Sequence, residues 1–243
     1  MPNWCENQLV VSGNSEDVRE FDQKFQGRRP PFLQDVEMAA STGAPPEKIR
    51  QAAQQELLEW LRDWGYRLNA LYPVPEEVLM AGYSGDIPAE SFGDRISKLF
   101  DPDQWWDGYS WCVSHWGTKW DLFGVNRGVT GGEAFYSFDT AWSPPVAWLQ
   151  KVAEDFPHLE FELRYYEPGM GFVGIASAKG GFFKEETFEA GSDPEMYLCY
   201  VDEYFEDDSL DEPEAECGGC GENITFREAI LHKKCEACRG VIL

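Results

Sequence analysis

Two short cysteine pairs, Cys217-Gly218-Gly219-Cys220 and Cys235-Glu236-Ala237-Cys238, stand 14 residues apart near the carboxyl end of the chain. A C-x2-C turn brings two thiolates to one side of a tetrahedral ion, and two such turns complete its coordination. The spacing predicts a small zinc ribbon over 217–243, with Cys217, Cys220, Cys235 and Cys238 as ligands and Zn2+ as cofactor. An iron centre or redox thiols are the alternatives for the same sulfurs. Four thiolates leave no open position for water, so the ion's role is structural. Ile224, Phe226, Ile230 and Val241 to Leu243 offer too little apolar surface to fold this stretch, and metal binding would drive it. His232 reads as a solvent-facing side chain, and Cys5, Cys112 and Cys199 as small buried ones.

The charge is segregated as sharply as the cysteines. The chain of 243 residues carries 44 acids against 20 bases, a net charge of -24. Residues 1–181 hold -12 of it, 182–216 hold -13, and 217–243 hold +1. Such a balance excludes a surface that clings to nucleic acid throughout, because phosphate binding draws on Lys and Arg. Only the ribbon, with Arg227, Lys233, Lys234, Arg239 and Phe226, offers a local nucleic-acid contact. No apolar run reaches the roughly 18–20 residues a bilayer requires, and the amino end lacks a basic stretch leading into an apolar one. The expectation is a soluble cytoplasmic protein with no membrane partner.

Periodicity places a strand at Trp4–Ser12, a helix capped by Asn14 or Ser15 with Val18, Phe21 and Phe25 on one face, and an insertion over 28–105. Inside the insertion, Ile49, Ala53, Leu57, Trp60, Leu61 and Trp64 form a helical apolar stripe expected to pack on the core. Extended segments follow at Trp111–Phe123 and Ala134–Asp139, then a helix after Ser143-Pro144-Pro145, and strands at Leu159–Tyr166 and Gly171–Ala178. The order predicts an α+β fold, a ferredoxin-like split βαβ sandwich carrying a helical insertion, with the small zinc ribbon appended.

Five phrases support that order: Met1-Pro2-Asn3-Trp4-Cys5-Glu6-Asn7, Leu71-Tyr72-Pro73-Val74-Pro75, Trp116-Gly117-Thr118-Lys119-Trp120-Asp121, Thr140-Ala141-Trp142-Ser143-Pro144-Pro145 and Tyr166-Glu167-Pro168-Gly169. Together they resemble the YubB ferredoxin-like family of plasmid- and phage-borne, Api-like proteins. The resemblance covers 1 to about 181 and implies a ferredoxin-like domain and a home on a mobile element in a bacterial cell. It implies no iron–sulfur cluster and no reaction. Three regions are therefore expected: 1–181 as this domain, 182–216 as an acidic strand and linker, and 217–243 as the zinc-ribbon-like module.

After a strand-like Met196–Val201, residues 202–216 hold nine carboxylates. Their mutual repulsion predicts an extended, hydrated linker. Duplex DNA bears one charge per roughly 1.7 Å, so the same run could imitate a short length of phosphate backbone for a host protein's basic cleft. Asp202, Glu203, Glu206, Asp207, Asp208, Asp211 and Glu212 are the candidate partner-binding residues.

A second constellation gathers Trp116, Lys119, Trp120, Asp121, Asp139, Trp142 and Glu167. One reading is a pocket, with Asp139 and Glu167 as an acid–base pair beside Lys119 and the tryptophans as a platform for a sugar or base. The other, which is favoured, is packing: the tryptophans fill the core, Lys119 neutralises Asp121 or Asp139, and Ser143 caps the following helix. No nucleophile accompanies His115 or His158, and Gly169–Gly174 has no phosphate-cradle spacing. The sequence thus points to a non-enzymatic interaction protein, with a nucleic-acid-binding ribbon and an Asp/Glu/Lys enzyme as alternatives.

Overall fold

Strand β1 (Trp4–Ser12) turns Cys5, Asn7, Leu9 and Val11 to one face, where all four are buried, and Trp4, Glu6, Gln8 and Val10 to the other. Asn14 then starts α1 (Ser15–Lys24), its Oδ1 accepting the N–H groups of Glu16 and Asp17 at 2.8 and 3.1 Å. Val18 and Phe21 of α1, and Phe25 just beyond it, are fully buried. The computed structural model describes residues 3–32, 39–40, 42–83, 107–213 and 215–232. Lys233, Lys234, Cys235, Cys238 and Arg239, and parts of the expected insertion, lie outside them.

Between α1 and the next long strand run β2 (Gln26–Gly27), α2 (Pro46–Arg62), β3 (Gly65–Tyr66), α3 (Leu68–Leu71), α4 (Glu76–Ala81) and α5 (Gly108–His115), with β2 and β3 paired antiparallel. Two expectations change here. The apolar stripe forms on α2 as far as Leu61, but Leu57 and Leu61 stay at least half exposed, as does Trp64 just past the helix end. Arg28 instead places its guanidinium over the Trp60 and Trp64 rings, at 5.1 and 5.4 Å. The segment from Trp111 is not extended. Asp107 caps α5 by accepting the Ser110 N–H at 2.6 Å, so Trp111 and Cys112 are buried from a helix.

The chain continues through β4 (Phe123–Thr130), β5 (Glu133–Ala141), α6 (Val146–Asp155), β6 (Glu160–Glu167), β7 (Phe172–Lys179) and β8 (Phe182–Glu189). One antiparallel sheet results, in the order β4-β5-β1-β6-β7-β8. Taken as β1-α1-β4-β5-α6-β6, its first four strands have the ferredoxin-like connection, with β1 between the strands of the second half. Helices α1 and α6 cover the front face, where Leu9, Phe21, Tyr136, Trp148, Leu149 and Leu163 meet in the main core.

Residues 182–216 are not a strand and linker beyond a finished domain. β8 pairs with β7 along its whole length, and the expected strand Met196–Val201 is part of α7 (Pro194–Tyr204). Pro194 starts that helix, and Tyr197, Leu198 and Val201 recur at helical spacing to bury one face. They pack with Tyr166 and Val173 on the back of the sheet, opposite α1 and α6. A 3-10 turn (Asp208–Asp211), the hairpin β9 (Ala215–Glu216) and β10 (Asn223–Ile224), and α8 (Phe226–His232) follow. No helix among the described residues is long and apolar enough to cross a membrane.

Asp22 is a buried charge of the front core. Asp22 receives the Arg127 guanidinium at 2.8 and 2.6 Å and the hydroxyls of Tyr136 and Tyr66 at 2.9 and 3.0 Å. Burial alone would raise its pKa, but these bonds outweigh it and hold the carboxyl below the usual range. Asp22→Ala would leave the Tyr136 and Tyr66 hydroxyls without their acceptor and release a partly solvated Arg127, and is expected to cost on the order of 2 kcal/mol in denaturant unfolding. Because the folded pKa is depressed, Asp22 stabilises fully above the ordinary aspartate pKa, and the wild-type advantage over the variant should fade as pH falls through the folded value.

Candidate functional site

Several polar members of the family-like phrases meet at one corner of the sheet. Asn7 donates to Thr140 Oγ1 at 2.8 Å, Thr140 donates to the Ser143 carbonyl at 2.9 Å, and Ser143 donates to the Gly117 carbonyl at 2.6 Å. Thr118 donates to the Ala141 carbonyl at 3.1 Å, and Trp116 Nε1 to the Tyr72 carbonyl at 2.9 Å. Gly117 has φ +89°, and a Cβ there would stand 2.8 Å from the Pro144 oxygen. The corner therefore locks the turn after α5 onto the start of α6. Ser143 contributes to it without capping α6, since its hydroxyl is directed at Gly117.

Beside this corner lies a cavity of about 700 Å³, lined by Trp116, Lys119, Trp120 and Asp121 together with Arg29, Arg62, Asp63 and Arg67. Trp116 is buried as expected, whereas Trp120 is half-buried and Trp142 about half exposed. Lys119 neutralises neither Asp121 nor Asp139: its Nζ lies between two indoles, 4.2 Å from the Trp120 ring centre and 4.1 Å from that of Trp142. Trp142 holds φ at +74°, a strained value for a large side chain, while its N–H donates to the Asn3 carbonyl at 3.0 Å. Asp121 caps α3, accepting the Leu68 N–H at 2.7 Å and that of Leu122 at 2.9 Å. Sequence reading missed the three arginines, because only the fold sets the segments holding them against 112–124.

Asp139 and Glu167 do not join Lys119 at this cavity. Asp139 lies on the back face, directly across from Glu6 of β1 and from Phe123 of β4. Glu167 is fully buried at the end of β6, where one carboxylate oxygen accepts the Met170 N–H and closes the turn. An acid–base pair served by Lys119 has no geometry here.

The acidic run is ordered by specific partners. Asp207 accepts the Tyr166 hydroxyl at 2.7 Å and the Ser209 N–H at 2.9 Å. Burial opposes its charge, but the Ser209 and Tyr166 bonds prevail and lower its pKa. Leu210 is buried, and Arg227 clamps Asp202 and Asp211, each with a closest contact of 2.9 Å. Asp202, Glu203, Glu206, Asp208, Asp211 and Glu212 remain exposed on this folded ridge. The expectation of an extended linker fails because Tyr166, Leu210 and Arg227 supply the anchorage that carboxylates alone lack.

Of the four predicted ligands, Cys217 and Cys220 lie in the turn joining β9 and β10; the other two fall outside the described residues. Gly221 takes φ +76° and closes the turn by donating to the Cys217 carbonyl at 2.9 Å, while the Gly219 N–H points at Cys217 Sγ at 3.4 Å. A short hairpin turn with an amide directed at sulfur suits a metal-bound thiolate pair. Among the described residues alone no group of three or more His, Cys, Asp or Glu side chains could hold an ion. Cys5 and Cys112 are buried as expected, and burial pushes both thiols well up; Cys199 is exposed.

Residues 115–215 match the family model described as the ferredoxin-like domain in Api92-like protein. The chain thus carries a ferredoxin-like domain, and the match runs past residue 181 through β8 and α7. No curated protein matches the chain. Among solved structures, protein Api92 from Yersinia pseudotuberculosis is similar in fold, with a TM-score of 0.50 at 13% identity over 80% of this chain and 100% of that one.

Asp121 yields a test of the cavity's polarity. Burial pushes its carboxyl up to about 6, against the backbone N–H groups of Leu122 and Leu68 that favour the charge. The folded state then holds the proton longer than the unfolded chain, so Asp121 withdraws stability as pH rises from 3.8 to about 6. Carboxyl-carbon NMR titration should give a midpoint near the upper value, and Asp121→Asn should remove that part of the slope. A midpoint near the lower value would refute the buried assignment.

Proposed function

We propose that this is a non-enzymatic interaction protein of a phage or plasmid, acting in the bacterial cytoplasm by binding a basic surface on a host protein. The observation that supports this most is the folded acidic ridge: its carboxylates ride on α7 and the 3-10 turn, anchored by Tyr166, Leu210 and Arg227. A preformed charge array loses less conformational freedom on binding than a tether would, and its field attracts and orients a basic partner. Competition with DNA for such a cleft, as in counter-defence, is the form of this reading that the YubB-like phrases favour. The ribbon as a nucleic-acid reader has less support, because Arg227 is engaged by two aspartates. An enzyme built on Asp139, Glu167 and Lys119 lacks a common site.

The immobilised chain should retain host proteins at low salt that duplex DNA displaces, and Asp208→Asn with Glu212→Gln should weaken their capture about tenfold. Retention that neither DNA nor roughly 0.3 M salt reduces would refute mimicry.

The second part of the proposal is a structural zinc ion held by Cys217, Cys220, Cys235 and Cys238. Native mass spectrometry should find one zinc per chain, lost in Cys217→Ser together with order in 217–232 while the sheet is retained. A metal-free chain of unchanged stability would refute it.

A further inference from the structure

On the back face, α7 and the 3-10 turn pack over β6, β7 and β8, and the part formed by β4, β5 and β1 carries an unusual row. At one level across four strands stand Phe123, Asp139, Glu6 and Tyr166, each paired in register with the next. Tyr166 continues the row by donating to Asp207. Carboxylates directly opposite each other on neighbouring strands repel, and folds ordinarily avoid the arrangement or place a cation beside it. No ion pair among the described residues includes Glu6 or Asp139. The two cations nearest in sequence to Phe123 are engaged elsewhere, Lys119 against Trp120 and Trp142 and Arg127 on Asp22.

Aromatic rings flank the acids. Trp4 stands edge-on to Phe123 with ring centres 4.9 Å apart, and Trp120 closes the cluster at 6.4 and 6.2 Å from the two. Trp4 and Phe123 are exposed by more than a third. Burial raises the Glu6 pKa, and the Asp139 and Asp207 charges raise it further, so a partner cation would relieve existing repulsion. A metal ion is a poor occupant, because among the described residues no third His, Cys, Asp or Glu side chain joins the two carboxylates to hold one. A guanidinium fits: it is planar, weakly hydrated, stacks on aromatic rings and donates to two carboxylates at once.

We propose that Glu6 and Asp139, rimmed by Trp4 and Phe123, form a receptor site for an arginine side chain of the basic partner. The inference rests on the proposed function and names where that partner is recognised.

The test is fluorescence anisotropy of labelled octa-arginine and octa-lysine peptides on the full chain at low salt. Octa-arginine should bind several-fold more tightly than octa-lysine. Glu6→Gln with Asp139→Asn should weaken octa-arginine about tenfold and erase the preference, without lowering the melting temperature, since the change removes repulsion. Asp208→Asn with Glu212→Gln should weaken both peptides alike and leave the preference intact. If the Glu6/Asp139 variant binds as the wild type does while the ridge variant loses both peptides, the arginine site is overturned and the acidic-ridge reading survives. If neither peptide binds the wild type, both fail.

Discussion

The structure depends first on the double pairing of β1. Its backbone is bonded on one side to β5 and on the other to β6, strands that lie past residue 130 in the chain. A slip of one residue would carry Trp4, Glu6 and Gln8 into the core and expose Cys5, Leu9 and Val11, so burial on the front face fixes the register on both sides. The long excursion between α1 and β4 is tolerated because the entropy of closing a loop grows only logarithmically with its length. Once β1 is placed, the position of Glu6 beside Asp139, and of Trp4 beside Phe123, is no longer free.

The parts of this arrangement that follow from local chemistry were legible in the sequence. Alternation gave β1 and β6, the pair Asn14-Ser15 gave the start of α1, which Asn14 caps, and the strand-helix order gave the ferredoxin-like connection. Errors fell where composition and periodicity disagree. Trp111 to Phe123 and Met196 to Val201 are rich in aromatic and β-branched residues, which suggested strands, yet Asp107 and Pro194 supply helix starts that decide the matter. The acidic run misled for a related reason. Its charge density describes a solvated chain, whereas Tyr166 and Arg227 outside the run, with Leu210 within it, determine that it folds.

The candidate site was only partly legible. Trp116, Lys119, Trp120 and Asp121 do line a cavity, because they are contiguous. Asp139 and Glu167 belong to segments that a split βαβ order brings near them, but strand parity separates them: Asp139 faces the back, while Glu167 is buried at the end of β6. Glu6 was invisible as a functional residue, since a single exposed acid in a strand is unremarkable until the register shows what stands opposite.

Two acids on opposite faces of the sheet illustrate how charge can be sorted into structure and recognition. Asp22 on the front has a guanidinium and two phenols, and its carboxyl is held below the ordinary range. Glu6 on the back is raised, first by burial and then by the charges of Asp139 and Asp207. A fold whose core already satisfies its own buried charge can carry a modest repulsion elsewhere, about 0.2–1 kcal/mol for a like-charged cross-strand pair. That expense has no structural return, because removing either charge would relieve it. Its return lies in association: a cation that settles between Glu6 and Asp139 gains two partners and removes a repulsion present in the free protein, so affinity rises without a larger interface. The same exposed rings that would otherwise be an unexplained apolar patch become the walls of the site.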